Sequence, residues 1–362
     1  MTILEPVPLD QLPVLPSQPA GVPWPTKDWP TGSLPDHVNP AELERLIERA
    51  FGPEPDPGFG ESHALVIVHK GRVVAERYGT DVEPDTPLLS WSMAKSVTHS
   101  LVGILADEGR LDPEALAPID AWRGADDPRN RITLGHLLRM TDGLEFNEDY
   151  AFPSDDGASS GDVRWSHCID MLFGAGKDDV AGYTIDRPSR HEPGSVFNYS
   201  SGTSNVIARI ISDELGGGPD RLRSFMNERL FHPIGARTAD PTFDLAGNFV
   251  GSSYLRMTAR DWARYGLLNL RGGEWDGEQI LPRAWVESCR RAWAADEEGN
   301  HYGTHWWVGD DSRGSFWCSG FEIQRVICVP TTDLVVVRLG RTPPEDYDTP
   351  KRWLDMIIAL FD

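Results

Sequence analysis

The placement of strand-like segments limits what this chain can fold into. Residues 64–69 (Ala-Leu-Val-Ile-Val-His) and 72–78 are rich in apolar and β-branched side chains, and Lys70-Gly71 between them offers a hairpin turn. Strand signals return only late, at 315–318, 324–329 and 334–339. A lone hairpin is marginal in water, so strands from both ends are expected to meet in one antiparallel sheet. Everything between them is then an insertion, and its periodicity is helical. From Ser92 onward Met93, Val97, Leu101, Ile104 and Leu105 recur at three- and four-residue steps, and Gly109 offers a stop. Segments 134–140, 204–215, 222–230 and 259–270 also read as helices, and 351–361 closes the chain. The expected class is α/β of the α+β kind: an antiparallel sheet flanked by helices, with a large, mainly helical inserted lobe. The expected division is an arm at 1–38, a sheet lobe at 39–90 and 285–362, and a helical lobe at 91–284, with the active site where the lobes meet.

Nine prolines between Pro6 and Pro35 forbid a helix in the first 36 residues. They favour an extended arm that lies on the surface or reaches a neighbour. Asn39-Pro40 then reads as a cap and first-turn proline for a helix over 41–50. The 362 residues carry a formal charge of −22, which repels nucleic acid and anionic membrane. No run approaches the roughly 18 apolar residues of a membrane span. Cys168, Cys289, Cys318 and Cys328 are scattered without a C-x-x-C pair, which argues against a disulfide framework and a zinc site and fits a reducing compartment. The amino terminus has no basic start, apolar stretch or cleavage site, so a cytoplasmic location is expected.

The residues able to do chemistry begin with Ser92-Met93-Ala94-Lys95. On a helix, residues three apart share a face, so the Lys95 amine can lie beside the Ser92 hydroxyl. A serine in the first turn also meets unpaired N–H groups and the positive end of the helix dipole. Serine needs a base within hydrogen-bond reach, and a lysine partly removed from water has a lowered pKa and can serve. Lys27, Lys70, Lys177 and Lys351 all lack a serine three positions before them. Taken alone, the pattern reads equally well as Ser92 capping a helix with Lys95 at the surface.

The stretch Trp91 to Ser96, running through 101–105 to Glu108-Gly109-Arg110-Leu111, resembles the nucleophile helix of the penicillin-recognising serine enzymes. Ile132-Thr133 with Leu137 to Leu144, Pro193 to Ser201, Thr258 to Asp261 with Gly266-Leu267-Leu268, Trp275-Asp276-Gly277 and Ile280-Leu281-Pro282 are similar to segments of its class C β-lactamase-like branch. The run Asn147-Glu148-Asp149-Tyr150 and the pair Trp306-Trp307 look most like the 6-aminohexanoate-dimer hydrolases and related carboxylesterases. The resemblance covers roughly residues 60 to 345. It implies a serine hydrolase that opens esters or amides through an acyl-enzyme on Ser92, with Lys95 and Tyr199 as bases and no metal or cofactor. Weak β-lactamase or D-amino peptidase activity, and a catalytically idle ligand-binding relative, are the alternatives. A Lys95 ammonium beside Tyr199 is expected to lower the phenol's pKa from its usual value near 10.

The family's late-strand element is usually Lys-Thr-Gly or His-x-Gly, and here the aligned residues are Cys318-Ser319-Gly320. The resemblance places the oxyanion hole at the backbone N–H groups of Ser92 and Phe321, where losing one donor costs about 3 kcal/mol. The absent Lys or His removes a cation used near a substrate carboxylate. Tyr150, Gly320, Trp306, Trp307 and Ser201 are the expected substrate-binding residues, with Trp165 and His305 as further wall candidates. Small-molecule esters or amides are the expected partners, with nucleic acid and membrane excluded. The resemblance leaves room for a homodimer that the arm reaches across. Three patterns read as decoys. Gly157-Ala158-Ser159-Ser160-Gly161 matches G-x-S-x-G but follows Pro153-Ser154-Asp155-Asp156 rather than a strand. His301 and His305 are four apart with Gly303 between them, and Gly216-Gly217-Gly218 is a helix stop. Cys318 as a nucleophile is weaker than inert packing on a strand.

Overall fold

A computed structural model describes residues 2–150 and 166–362. Its centre is a nine-stranded antiparallel sheet drawn from both ends of the chain, in the spatial order Thr2–Ile3, Ala294–Ala295, His301–Tyr302, Trp307–Val308, Phe316–Gly320, Gln324–Val329, Leu334–Arg341, Glu61–His69, Arg72–Tyr78. The long strands match the segments expected from sequence. The three two-residue strands between 294 and 308 were not legible, because two residues are too few to show a period of two.

Alternation along the strands sorts side chains into two cores. Ala64, Val66, Val68, Val326, Cys328, Val335 and Val337 face the larger core, against helices Ala94–Asp107, Ser201–Glu214 and Ala259–Leu270. Leu65, Ile67, Ile327, Val329, Leu334 and Val336 face the other, against Pro40–Phe51 and Asp348–Ala359. Asn39 caps the first of these helices, its side chain accepting from the Ala41 N–H at 3.0 Å. Helix Ala259–Leu270 lies close on the sheet because Gly266 lacks a side chain, and a Cβ there would stand 2.6 Å from Val326 Cγ1. In helix Ala94–Asp107 every residue from Ala94 to Leu105 is buried, so the helix runs through the centre of the protein.

The arm lies on its own chain. Thr2–Ile3 adds a strand to the sheet edge, Leu15 is buried, and Arg264 Nε donates to the Pro25 carbonyl at 2.7 Å. Two short elements correct the boundaries read from sequence. Ser92 sits in a 3₁₀ turn, Trp91–Met93, and the α-helix proper starts at Ala94. The helix read at 222–230 spans Pro219–Met226 and widens into a π-turn over Asn227–Phe231.

Candidate active site

Ser92 is delivered by a tight, strained turn. Trp91, the residue before it, has φ 46°, a left-handed conformation that costs a non-glycine residue about 1–3 kcal/mol. Its indole N–H donates to Glu322 Oε2 at 3.0 Å, and its ring meets Phe321 edge-on at 5.8 Å. The turn after Phe321 is strained in turn, with φ 61° at both Glu322 and Ile323. The buried Arg338 fastens that turn, donating to the Glu322 and Ile323 carbonyls at 2.6 and 3.0 Å. Ser92 and Phe321, the expected oxyanion pair, are thus held by one cross-linked frame.

Gly320 makes this approach geometrically possible. A Cβ at that position would stand 2.2 Å from the Ser90 carbonyl oxygen. Its φ is ordinary for a strand, so the requirement is space rather than backbone freedom. Gly320→Ala is expected to push the strand off the Ser92 turn, costing about 1–3 kcal/mol of stability. A displacement of about 1 Å at the Ser92 and Phe321 N–H groups, the expected oxyanion donors, should lower kcat by about 100-fold. Chemical denaturation and an esterase assay on one preparation check both figures.

Lys95 is buried behind Ser92 and its amine makes three hydrogen bonds: to Ser92 Oγ at 2.8 Å, to Ser201 Oγ at 2.9 Å and to the Ser252 carbonyl at 3.1 Å. The surface-lysine reading is therefore excluded. Tyr199 stands against the same amine, which lies 4.9 Å from its ring centroid, and the Ser92 and Lys95 side chains both act on its phenol. The expected lowering of the Tyr199 pKa is not what the site produces. Burial pushes the phenol up, and it outweighs the Lys95 charge and the hydrogen bonds that pull it down; the Glu148 carboxylate adds to the rise. Tyr199 is a neutral phenol near neutral pH.

These groups open on a cleft of about 750 Å³. Ser92, Tyr150, Tyr199, Trp307, Gly320 and Phe321 are among the residues that line it. Trp307 packs against the Tyr199 ring at 5.5 Å between centroids. Three expected wall residues are not there. Trp306 is fully buried against Tyr265 and Phe316, on the opposite side of the strand from Trp307. His305 is buried between the Leu138 carbonyl and the Ser204 hydroxyl, and burial pulls its pKa down to about 3. Ser201 is buried between Lys95 and Glu148 and does not line the cleft. Trp165 and the segment 157–161 lie outside the described residues.

The strand next to the late strand carries a cation that lines the cleft. Ser319 pairs in register with Arg325, whose guanidinium meets the Ser319 hydroxyl, and both line the cleft. Burial pulls Arg325 down to about 10, which leaves it charged. Among the described residues no carboxylate forms an ion pair with it; Asp355 contributes charge attraction without a hydrogen bond. Sequence reasoning missed Arg325 because the family's cation is read at another register position. Period-two pairing across a hairpin was the signal that could have found it. Cys318 points into the core beside the Val326 carbonyl, and burial pushes its thiol up to about 12, so it is no nucleophile. No group of His, Cys, Asp and Glu fit to hold a metal occurs among the described residues.

Residues 58–360 match the Beta-lactamase family model. A 6-aminohexanoate-dimer hydrolase of Paenarthrobacter ureafaciens is 29% identical in an alignment of 297 residues that covers 78% of this chain and 73% of that protein. A Bacillus anthracis protein provisionally assigned as a 6-aminohexanoate-dimer hydrolase superposes with a TM-score of 0.69 at 22% identity, over 97% of this chain and 92% of its own. A family VIII carboxylesterase gives a TM-score of 0.64 at 15% identity, over 91% and 99%. The two structural likenesses speak for the fold alone. With the family model matched over most of its length, this chain belongs to the β-lactamase family of serine hydrolases.

Proposed function

We propose that the protein hydrolyses small esters or amides through an acyl-enzyme on Ser92, with Lys95 as the base and Tyr199 as the proton carrier. One observation carries this reading: the Lys95 amine lies 2.8 Å from Ser92 Oγ in a buried site that opens on a cleft. In its amine form Lys95 takes the Ser92 proton as Oγ attacks the substrate carbonyl, and the backbone N–H groups of Ser92 and Phe321 receive the oxyanion. Tyr199, a phenol whose ring stands beside the Lys95 amine, passes a proton to the departing alcohol or amine and recovers one from Lys95. Water then attacks the acyl group by the reverse path. An idle ligand-binding relative has no use for an amine and a phenol converging on one hydroxyl. The test is labelling with a fluorophosphonate followed by peptide mapping; a single adduct on Ser92 is expected, and an adduct on Ser159 would overturn the assignment.

The cleft also suggests a substrate class. Beside Arg325 the lining includes Trp317 and, at the edge of the second core, Ile327, Leu354 and Ile358, with Lys351 and Asp355 among them, offering apolar surface to a short aliphatic chain. Arg325 can pair with a carboxylate carried on such a chain, as an aminoalkanoate amide or a dicarboxylate half-ester would carry it. Arg325→Gln should lower kcat/KM for carboxylate-bearing esters by about 10- to 30-fold and leave matched neutral esters within about twofold, since a charge-assisted hydrogen bond is worth about 1.5–3 kcal/mol. Equal losses on both substrates would remove Arg325 from recognition. Four buried free cysteines fit a reducing cytoplasm, where we place the enzyme. No helix among the described residues is long and apolar enough to cross a membrane. A homodimer remains a proposal, testable by light scattering; the arm's contacts with its own chain take away the reason to expect it to reach across.

A further inference from the structure

We infer that Glu148 is a positioning residue that aims Lys95 at Ser92, acting through the hydroxyl of Ser201. The inference rests on Lys95 being the base for Ser92, and it explains what makes a lysine in this cage act in one direction.

The carboxylate grips Ser201 at two points. Glu148 Oε2 accepts the Ser201 backbone N–H at 2.7 Å, and Oε1 accepts the Ser201 hydroxyl at 2.5 Å. The Tyr150 hydroxyl donates to the same Oε1 at 2.9 Å. Among the described residues Cys168, Tyr199 and Lys95 also act on this carboxylate or its neighbours, and burial pushes the Cys168 thiol up. With its one proton committed to Glu148, the Ser201 oxygen can only accept toward Lys95.

That constraint decides the geometry of the base. A neutral lysine amine has two N–H donors and one lone pair. Two of the three partners of Lys95 are obligate acceptors: the Ser252 carbonyl by its chemistry, and Ser201 Oγ because Glu148 holds its proton. In the amine form that acts as base both N–H groups are therefore taken, and the lone pair is left facing Ser92 Oγ, to which the ammonium donates at 2.8 Å. Without the carboxylate, the Ser201 hydroxyl is free to rotate and donate to the amine, competing with Ser92 for the same lone pair.

The substitution Glu148→Gln makes this competition explicit at constant shape. The Ser201 N–H can only donate, so the Gln amide oxygen must face it. The amide NH2 then faces the Ser201 hydroxyl and donates to it, which turns the Ser201 proton toward Lys95. The experiment compares wild type, E148Q, S201A and the double variant by the rate and saturation constants of fluorophosphonate inactivation, with thermal midpoints recorded for each. The inactivation rate constant of E148Q should fall about 30- to 100-fold, less than the roughly 10²- to 10⁴-fold of losing a general base, because the base is misaimed rather than removed. Its saturation constant should stay within about threefold, because the lost interaction orients a base rather than holding the ligand. S201A should be slowed as well, and E148Q/S201A no slower than S201A, because the carboxylate acts only through that hydroxyl. Wild-type inactivation by E148Q, or losses that multiply in the double variant, would overturn the inference. S201A gives an independent reading should E148Q fold poorly, since wild-type rates there also refute it. A wild-type enzyme not labelled at Ser92 would instead overturn the nucleophile assignment.

Discussion

Ser92→Ala should abolish hydrolysis of nitrophenyl butyrate, with kcat reduced by about 10⁴-fold or more, as when a serine hydrolase loses a nucleophile that works as one unit with its base. The substitution removes only the oxygen that Lys95 meets at 2.8 Å. Lys95 keeps Ser201 and the Ser252 carbonyl, so the buried charge stays satisfied and the fold should survive. The lost hydrogen bond is worth about 1–2 kcal/mol at most. Denaturation curves alongside the assay separate the two effects. Rates equal to wild type would remove the hydrolytic reading. Rescue by another described nucleophile is not expected, because the Cys318 thiol is buried in the core and pushed up to about 12.

Lys95→Met should lower kcat by about 10³-fold, since general-base assistance alone contributes about 10²–10⁴ and Tyr199 loses its proton partner as well. Its effect on stability is a balance. Removing a buried ammonium takes away a desolvation cost, while the Ser201 hydroxyl and the Ser252 carbonyl each lose a donor, at about 1–3 kcal/mol for a buried unsatisfied group. The Tyr199 phenol also loses the neighbouring charge that holds its pKa down and should titrate higher still. A spectrophotometric titration of tyrosine in the variant reads that rise, and stopped-flow acylation reads the rate. Activity within tenfold of wild type would show that Lys95 is not the base.

The long elements were readable in the residues because each carries its own period. Ala64 to His69 and Leu334 to Leu339 alternate or run apolar as sheet strands must, and Met93 through Leu105 keeps helical steps. The late Gly320 was readable by resemblance, and its reason, a 2.2 Å approach of any side chain to Ser90, came only from the fold. Trp306 and Trp307 show where reading fails. Adjacent aromatics looked alike in sequence, but neighbouring strand residues point to opposite faces, and only the sheet's position decided that Trp307 meets the cleft.

The sequence by itself determined the class of fold, because local periodicity is a property of neighbouring residues, and its resemblance to a family pointed to Ser92 as the proposed nucleophile with Lys95 three positions on. Tertiary structure alone decided the electrical state of the site. Burial outweighs the Lys95 charge at Tyr199, a register pair on the next strand brings Arg325 into the cleft, and Glu148 reaches Ser201 from fifty-three positions away. Such effects depend on distances across the fold and on exclusion of water, and neither is written in any short stretch of the chain.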